Sequence, residues 1–464
     1  MKYIGPFLKM NKLSNEDICG QLFHLSKEAV KTISLNSKCG ITFSFRSSKK
    51  SHTHNDINIS KDFSPLICIY KKASPLFLHN KTNYGFDDTS FKKEILPKTN
   101  ALMTICILEL YDYYDNYKSN SKSILSIQNV YKILCEKQLN FYSQNLRNSD
   151  GMFIERKNST INTLKGYSLS DHYKKVTLED QAFMMAAYYA FYYYFPTNEL
   201  ANDYKNFSNE ILNMLIQSKD DLYNTSFEEI EMILLAIILA YKYSNNDNCK
   251  ELIIDLCDFL ISKYDDNPSL QEKIDLTSLF YLLLIESYKY TNMLAFKEKS
   301  TEIIEYLEGL YDSSKGIYIK NSNKKEIKYN SDELCLYFLA LFTENYDKSE
   351  LKMNNIISSL YKNIFINSGI ISSWPSAPTL DEVERYKFLS LNSKDMLEES
   401  YFRMPSFSTP ESIGIAPIFF KKATYSKRKN IFSASKSSFD SSKNVFIFFN
   451  FIYHLKSKVI NTIF

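Results

Sequence analysis

Glycine and proline are scarce in this chain, 10 and 11 among 464 residues. Turns are therefore few relative to element length, and long helices are favoured. Tryptophan occurs once, although tyrosine (35) and phenylalanine (33) are abundant. The abundance of Asn, Lys, Ser, Ile and Tyr reads as composition bias and carries no binding signal. An excess of one charge is also missing: 56 basic residues face 53 acids, a net charge of +3. That balance excludes an electrostatic case for nucleic acid or for an anionic membrane surface. No apolar run approaches the ~20 residues that span a bilayer; Val445–Tyr453 falls well short. Met1 to Gly20 holds no apolar core of a secretory signal, so a cytoplasmic location is expected. Walker, GxGxxG, GxSxG and HExxH motifs are absent, and no cofactor is expected.

Cysteine pairs spaced CxxC are lacking too. Cys19, Cys39, Cys68, Cys106, Cys135, Cys249, Cys257 and Cys335 are scattered. Cys249 and Cys257 fall on one amphipathic stripe, as buried reduced thiols do. His52, His54 and Asp56 alternate and would share one face of a strand. The text around them is polar and lysine-rich, no fourth ligand stands out, and no metal is expected there.

What is present is a large apolar share, 44%, enough for a sizeable packed core. Residues 1–98 read as an N-terminal cap of mixed short strands and one helix. The helix is expected at Asn15–Ile33, and β-prone runs stand at Ile41–Phe45, Pro65–Tyr70 and Pro75–Leu78. Residues 99–403 alternate two kinds of helix. One kind is apolar almost all round: Ala101–Tyr114, Leu178–Phe195, Phe227–Tyr243, Leu276–Tyr288 and Leu334–Phe342. A helix with no polar face is buried on every side. The other kind is amphipathic, as in Glu199–Ser218, where Leu200, Tyr204, Phe207, Ile211, Leu212 and Leu215 recur at three- and four-residue steps. Ser123–Ser143, Glu251–Tyr264, Phe296–Leu310 and Met353–Ile366 read the same way. Each apolar helix precedes an amphipathic one, so the unit is a helical hairpin. Acidic turn signals follow the amphipathic helices at Asp150, Asp221, Asp266 and Asp312, with Asn367 at the matching place later. Their spacing is that of stacked hairpins.

An open solenoid would have one-sided helices in both layers. One layer that is apolar all round suits an inner ring about a closed axis. The fold class is therefore all-α, an (α/α) toroid of about six hairpins. Five can be counted, and the sixth falls to Ser442–Lys458 or to Asn15–Ile33. Residues 404–464 form a C-terminal strap and closing helix, with a basic stretch at Lys421–Lys429 and a serine-rich one at Ser433–Ser442. That segment is a candidate surface for a protein partner.

The hairpin alternation, together with the turns Asp150-Gly151-Met152-Phe153-Ile154 and Lys315-Gly316-Ile317-Tyr318, resembles the six-hairpin (α/α)6 toroids. These are the glycosidase-like and acylglucosamine epimerase-like proteins, and the resemblance covers about two-thirds of the chain. It implies a saccharide partner and a substrate cleft on one rim. Epimerase-like members carry histidines on the barrel helices. Here the helices of residues 99–403 hold none, with His172 in a loop and His454 near the C-terminus.

Loop lengths single out that rim. Turns from inner to outer helix are short, such as Pro196-Thr197-Asn198 and Thr291-Asn292. Connections back to the next inner helix are mostly long: Asn145–Thr177, Asp312–Asn330 and Asn367–Leu380. Long loops on a rigid scaffold are where function concentrates. The short-turn rim is expected to be inert. Acids gather at the inner-helix starts on the long-loop rim. Asp180, Glu179, Asp332, Glu333 and Asp275 are the catalytic candidates, with Glu228 and Glu229 beside them. The long loops add Glu155, Asp171, Asp381 and Glu384. Glycoside cleavage needs two carboxylates facing each other across the bond, one as acid and one as base or nucleophile. First-turn acids also cap helices and suit the helix dipole, and that use competes. Asp180, followed by Gln181, opens the most apolar inner helix after the longest loop. Trp374, Tyr173 and Tyr318 are candidate sugar platforms, with Tyr329 a weaker one. Arg156 and Arg385 are candidates for a carboxylate or phosphate, with Arg403 nearby. The expected activity is carbohydrate-active, hydrolase- or lyase-like, on an intracellular saccharide. The alternative is a non-catalytic toroid that binds a protein or glycan in an envelope- or spore-type assembly.

Overall fold

A computed structural model of the protein describes residues 13–43, 64–73, 77–79, 84–86, 91–116, 122–159, 167–172, 176–320, 324–348, 351–375, 417–434 and 439–463. His52, His54, Asp56, Tyr173, Asp381, Glu384, Arg385 and Arg403 lie outside these residues.

Six helices form the inner layer: α2 (Pro97–Asn116), α4 (Leu178–Tyr194), α7 (Phe227–Ser244), α9 (Ile274–Thr291), α11 (Ser331–Asn345) and α13 (Ser441–Ile463). They are the helices without a polar face. Every residue of α4 from Asp180 to Phe191 is buried, as is every residue of α7 from Ile230 to Ala240. The outer layer is α1 (Asn15–Asn36), α3 (Lys122–Asn145), α5 (Ala201–Gln217), α8 (Asp247–Asp265), α10 (Leu294–Gly309) and α12 (Leu351–Tyr361). A short α6 (Lys219–Tyr223) follows α5. The outer helices bury one stripe only. In α8 it is Cys249, Leu252, Ile253, Leu256, Cys257, Leu260 and Tyr264, the three- and four-residue rhythm of one helix face.

The inner helices pack in a cycle: α2 on α4, α4 on α7, α7 on α9, α9 on α11, α11 on α13, and α13 back on α2. The fold is an (α/α) toroid. Each inner helix carries its outer partner, α2 with α3, α4 with α5, α7 with α8, α9 with α10 and α11 with α12. The sixth hairpin joins the two ends of the chain, because α13 packs against α1. Ser442–Lys458 and Asn15–Ile33 thus both contribute, one as inner helix and the other as outer. The α1 start is tied down across the sequence: Asn15 Nδ2 donates to the Tyr346 carbonyl at 3.1 Å and to Asn354 Oδ1 at 3.1 Å.

The short turns have local causes. α7 and α9 end at Asn245 and Asn292, both in the left-handed region with φ of 51° and 57°. Asparagine tolerates that conformation and stops the helix sharply. On the other rim the turn at Gly316 has φ +66°, and an added Cβ would meet Asn363 Nδ2 at 2.3 Å. Glycine meets both without strain, whereas any other residue would have to displace the Asn363 side chain.

Short strands dress the long-loop rim. The strands Glu94–Ile95, Arg156–Asn158 and Leu169–Asp171 form one antiparallel sheet. The strand Glu326–Asn330 pairs with Lys422–Ser426 in the register Glu326↔Ser426 to Asn330↔Lys422, and Lys422–Ser426 pairs with Ile431–Ala434. The basic stretch of the C-terminal segment is thus a strand laid on the α10–α11 loop. Ala423 and Tyr425 point inward, while Lys422, Thr424 and Ser426 stay on the wetter face. The expected runs at Ile41–Phe45 and Pro65–Tyr70 appear as β1 (Gly40–Thr42) and β2 (Leu66–Ile69), an antiparallel pair. Among the described residues no helix is long and apolar enough to cross a membrane. Val445, Phe448, Phe449, Phe451 and Ile452 of α13 are buried in the ring.

The short-turn rim is not featureless. Side chains cross the axis there and close it. Glu109 of α2 is fully buried and accepts from Lys242 of α7 at 2.7 Å. Lys456 of α13 bonds both Glu109 and Asp112, the latter at 2.5 Å, and the Tyr243 hydroxyl also donates to Glu109. The Lys242 ammonium lies 4.5 Å from the Tyr453 ring centre. Tyr453 in turn donates to Glu286 of α9 at 3.2 Å. Histidine does stand on the ring, on α13, because the C-terminal helix supplies an inner stave. His454 Nδ1 is 4.0 Å from Glu286, and burial pushes its imidazole down to about 4.

Candidate functional site: the acids at the inner-helix starts

Bonds between first turns place the starts of four inner helices, α2, α4, α11 and α13, on one rim. Thr99 of α2 meets Ser442 of α13 at 2.8 Å. Lys98 of α2 donates from its ammonium to Glu179 of α4 at 2.5 Å and from its backbone N–H to Asp180 at 2.7 Å. Lys443 of α13 pairs with Asp332 of α11.

Those bonds decide what most of the candidate acids do. Asp180 is almost wholly buried. It accepts the Lys98 N–H on one oxygen and the Thr177 hydroxyl on the other at 2.8 Å. Burial pushes its carboxyl up to about 6, against the lowering effect of those two donors. Glu333 is held by three donors: Tyr318 at 2.7 Å, Lys320 at 2.6 Å and the Asn330 backbone at 3.3 Å, the last a capping box. Burial still raises its carboxyl. Glu179 and Asp332 each have a lysine counterion. These four acids are bound into the ring's own structure.

Asp180 has a measurable consequence. Its folded value of about 6 lies above the ordinary 3.8, so the folded chain keeps this proton to higher pH than the unfolded chain does. Stability from this group is full below 3.8 and is lost as pH rises towards about 6. The change amounts to about 3 kcal/mol at 1.36 kcal/mol per pH unit. Asp180→Asn should flatten the slope across that window in urea-unfolding curves taken at stepped pH. An unchanged slope would show that another group carries it.

The platform and arginine candidates are used in a similar way. Tyr318 is buried with its hydroxyl on Glu333, and its ring packs against Tyr329 and Tyr337 at 5.2 and 4.4 Å. Tyr329 is buried and donates to the Tyr318 carbonyl at 2.7 Å. Arg156 pairs with Asp171 on the neighbouring strand and donates to the Arg147 carbonyl at 2.6 Å. Trp374 is half-buried and packed on the core. Its loop is pinned to the C-terminal segment by Ser372 N–H to the Ile418 carbonyl at 2.9 Å.

The α7–α9 seam is different. Asp275, in the first turn of α9, is half-buried and has no hydrogen bond or ion pair to any described residue. Beside it is an acid that the sequence reading passed over, Glu231. It is fully buried, and neither carboxyl oxygen has a hydrogen-bond partner. Burial pushes its carboxyl well up, and the charges of Asp275 and Glu228 add to that. Phe227 sits one turn earlier on the same face of α7 and packs on Phe280 of α9 at 5.5 Å, so Glu231 faces α9. Ser278 of α9, one turn beyond Asp275, is likewise fully buried with an unpartnered hydroxyl. Buried polar atoms without partners are few in folded proteins, and each calls for a cause. A visible signal did exist. Glu228 and Glu229 occupy the first turn, where Ser226 caps Glu229 at 3.2 Å. Glu231 stands a step beyond the reach of the helix dipole, inside an otherwise apolar run. Among the described residues no group of three or more His, Cys, Asp or Glu side chains is placed to hold a metal ion.

No protein-family model and no curated protein matches the chain. Several solved structures are similar in shape. An endoglucanase from the termite Nasutitermes takasagoensis has 11% identity and a TM-score of 0.49, with 96% of this chain and 99% of that one covered. Cellobiose 2-epimerase from Bacillus thermoamylovorans has 10% identity and a TM-score of 0.49, covering 83% and 92%. An alpha-mannanase from Bacteroides thetaiotaomicron has 8% identity and a TM-score of 0.43, covering 80% and 90%. At these values the toroid rests on the chain's own closed cycle of helix contacts.

Proposed function

We propose that the protein is a carbohydrate-active toroid whose working groups are the acids of the α7–α9 seam. Glu231 serves as proton donor and Asp275 as its partner carboxyl. The observation that carries this reading is the Glu231 carboxyl, fully buried and without a hydrogen-bond partner on either oxygen. Burial and two neighbouring acids keep it protonated, the state a general acid needs. A carboxyl kept neutral by its surroundings, beside a second carboxyl, is an arrangement that paired acid–base chemistry uses. The saccharide part of the reading comes from the six-hairpin resemblance, and fold alone does not imply it.

A second reading has its own support. Glu179, Asp180, Asp332 and Glu333 are all engaged in caps and ion pairs, as they would be in a toroid that binds a glycan or protein without turnover. One experiment separates the two. The protein is incubated with a panel of oligosaccharides, and new reducing ends or altered sugars are detected by chromatography. Wild type should convert at least one of them, and Glu231→Gln, which keeps shape and removes the proton, should lower the rate by about 10²–10⁴. Binding without turnover by wild type favours the second reading. Turnover unaffected by Glu231→Gln removes Glu231 from the chemistry. A companion Glu231→Leu variant should unfold at higher temperature, because an unpartnered buried polar group costs about 1–3 kcal/mol.

A further inference from the structure

The chain as a whole is nearly neutral, but its charges are not evenly spread. Residues 324–328 and 421–434, which build the three-stranded sheet at the start of α11, carry eight basic side chains against one acid, Glu326. The sheet is fixed to the ring by the Ser331 N–H, which donates to the Lys421 carbonyl at 3.1 Å. The Lys427 N–H donates to the Lys325 carbonyl at 3.0 Å and so brings basic residues of both segments together at the hairpin tip. Lys325, Arg428 and Lys429 are exposed, and none of them forms an ion pair with a described acid.

The same sheet has an open edge. Its order places Ile431–Ala434 outermost, paired with Lys422–Ser426 on one side only. No described residue takes up the backbone groups of the other side. Side chains of this strand alternate between two faces. Phe432 turns inward, its ring centre 4.9 Å from that of Tyr425 and 6.0 Å from that of Tyr329. Ile431 and Ser433 face solvent, and 57% of Ile431 is exposed. Ile431 stands in a row with Ser426 and Glu326, and Ser433 in a row with Thr424 and Lys328.

We infer that this edge is the docking site for an acidic, extended segment of a partner protein. The segment adds to the sheet as a further strand along Ile431–Ala434 and sets its carboxylates against Arg428 and Lys429. The open backbone groups decide the class of partner. A series of N–H and C=O groups at strand spacing is matched by another peptide backbone, and a polysaccharide has no such series. The charge decides the sign. Basic groups stand at both ends of the hairpin, Arg428 and Lys429 at the tip and Lys421 and Lys422 at the base. They repel a second copy of the same edge, as lysines on open strands do, and attract a strand rich in Asp and Glu. Ile431 offers the apolar cross-strand contact. A partner held here stands on the rim of Asp332 and Glu333. The inference rests on the sheet alone and is independent of the saccharide reading.

The test is fluorescence anisotropy of the full chain with a labelled, end-blocked peptide that alternates glutamate and valine. Its controls are the lysine–valine counterpart, an analogue N-methylated at every residue, and oligogalacturonate. The glutamate peptide should bind at least about tenfold tighter than the lysine peptide and than the N-methylated analogue, which keeps the charges but has no N–H to donate. Its binding should weaken as sodium chloride is raised. Amides of Ile431–Ala434 that point away from Lys422–Ser426 should exchange their hydrogens quickly in the free chain and slowly with peptide bound. Arg428→Glu with Lys429→Glu, at exposed turn positions, should weaken binding at least about tenfold. Lys137→Glu with Lys352→Glu, the same change in net charge on exposed faces of α3 and α12, should leave it unchanged. Absence of binding by the glutamate peptide, or equal binding by the N-methylated analogue, overturns strand addition. Oligogalacturonate that binds as tightly and displaces the peptide assigns the basic sheet to an anionic glycan and overturns the peptide partner. Slow exchange of the edge amides already in the free chain shows the edge to be covered from within, and the inference fails.

Discussion

A chain lacking residues 1–36 should show no cooperative unfolding transition, although twelve of the thirteen helices described remain in sequence. The reason is topological. α1 is the outer partner of α13, and no turn connects the two. Its buried face carries Ile18, Leu22, Phe23, Leu25, Val30, Ile33 and Leu35, all nearly or wholly inaccessible. Burying such a side chain stabilises by about 1.5–3 kcal/mol, against a total stability of about 5–15 kcal/mol for a typical domain. Removing α1 also exposes the outward face of α13 and opens the ring where its two ends meet. Phe23 packs on Tyr113 of α2 at 4.7 Å, so α1 holds the first inner helix as well as the last. Circular dichroism melts should show a broad, shallow loss of helix, and a peptide covering residues 13–43 added in trans should restore a sharp transition. The finer version is Phe23→Ala, which should cost about 3–5 kcal/mol. A truncated chain that melts sharply at the temperature of the full one would show that the ring closes without α1.

The layered architecture was legible in the sequence because burial leaves a local record. Ala101–Tyr114 and Phe227–Tyr243 have no polar face, and they sit in the inner layer. Tyr204, Ile211, Leu212 and Leu215 lie on one stripe of α5, which packs on α4. The closing hairpin was not legible. Periodicity reports which face of a helix is buried, never which distant helix buries it. The pairing of α1 with α13 joins residues more than four hundred positions apart, as in the contact of Cys19 Sγ with the Leu455 carbonyl at 3.9 Å.

The site was half legible for a related reason. A first-turn acid has the same appearance whether it caps its helix, pairs with a lysine or waits for a ligand. Glu179, Asp332 and Asp275 look alike in sequence. Only the neighbouring helices distinguish them, by bringing Lys98 to the first and Lys443 to the second. Asp275 was named from its position and remains unpaired in the fold. Glu231 was hidden behind Glu228 and Glu229, which offered a capping explanation for the whole acidic run. Its buried, unsatisfied carboxyl is a tertiary property, set by Asp275 and by the α9 face against which α7 packs.

Glu109→Ala should destabilise the protein by about 3–5 kcal/mol, the usual consequence of breaking a buried ion pair from one side. Glu109 is wholly buried at the closed end and is the shared acceptor for Lys242, Lys456 and the Tyr243 hydroxyl. Its loss strands Lys456, itself almost fully buried and left with Asp112 alone. It also severs both bonds described at this end between α2 and α7, from Lys242 and from the Tyr243 hydroxyl, helices that stand two places apart in the ring. Burial by itself would push the Glu109 carboxyl up, but Lys242 and Lys456 outweigh it and hold the group far below the ordinary 4.5. The folded value lies below the unfolded one, so the stabilisation is complete above 4.5 and is lost as pH falls through the folded value. The variant should therefore differ most from wild type at neutral pH, and the gap should narrow in acid. Glu109→Gln, which keeps the acceptor and removes the charge, should recover part of the loss. Replacing Glu109, Lys242 and Lys456 together by Leu or Met should recover most of it, since a buried ionic cluster exchanged for well-packed apolar groups is often neutral or stabilising. Urea unfolding at stepped pH measures all three. A single Glu109→Ala variant as stable as wild type at neutral pH would show that water reaches the axis and solvates the stranded lysines, leaving that end of the toroid open.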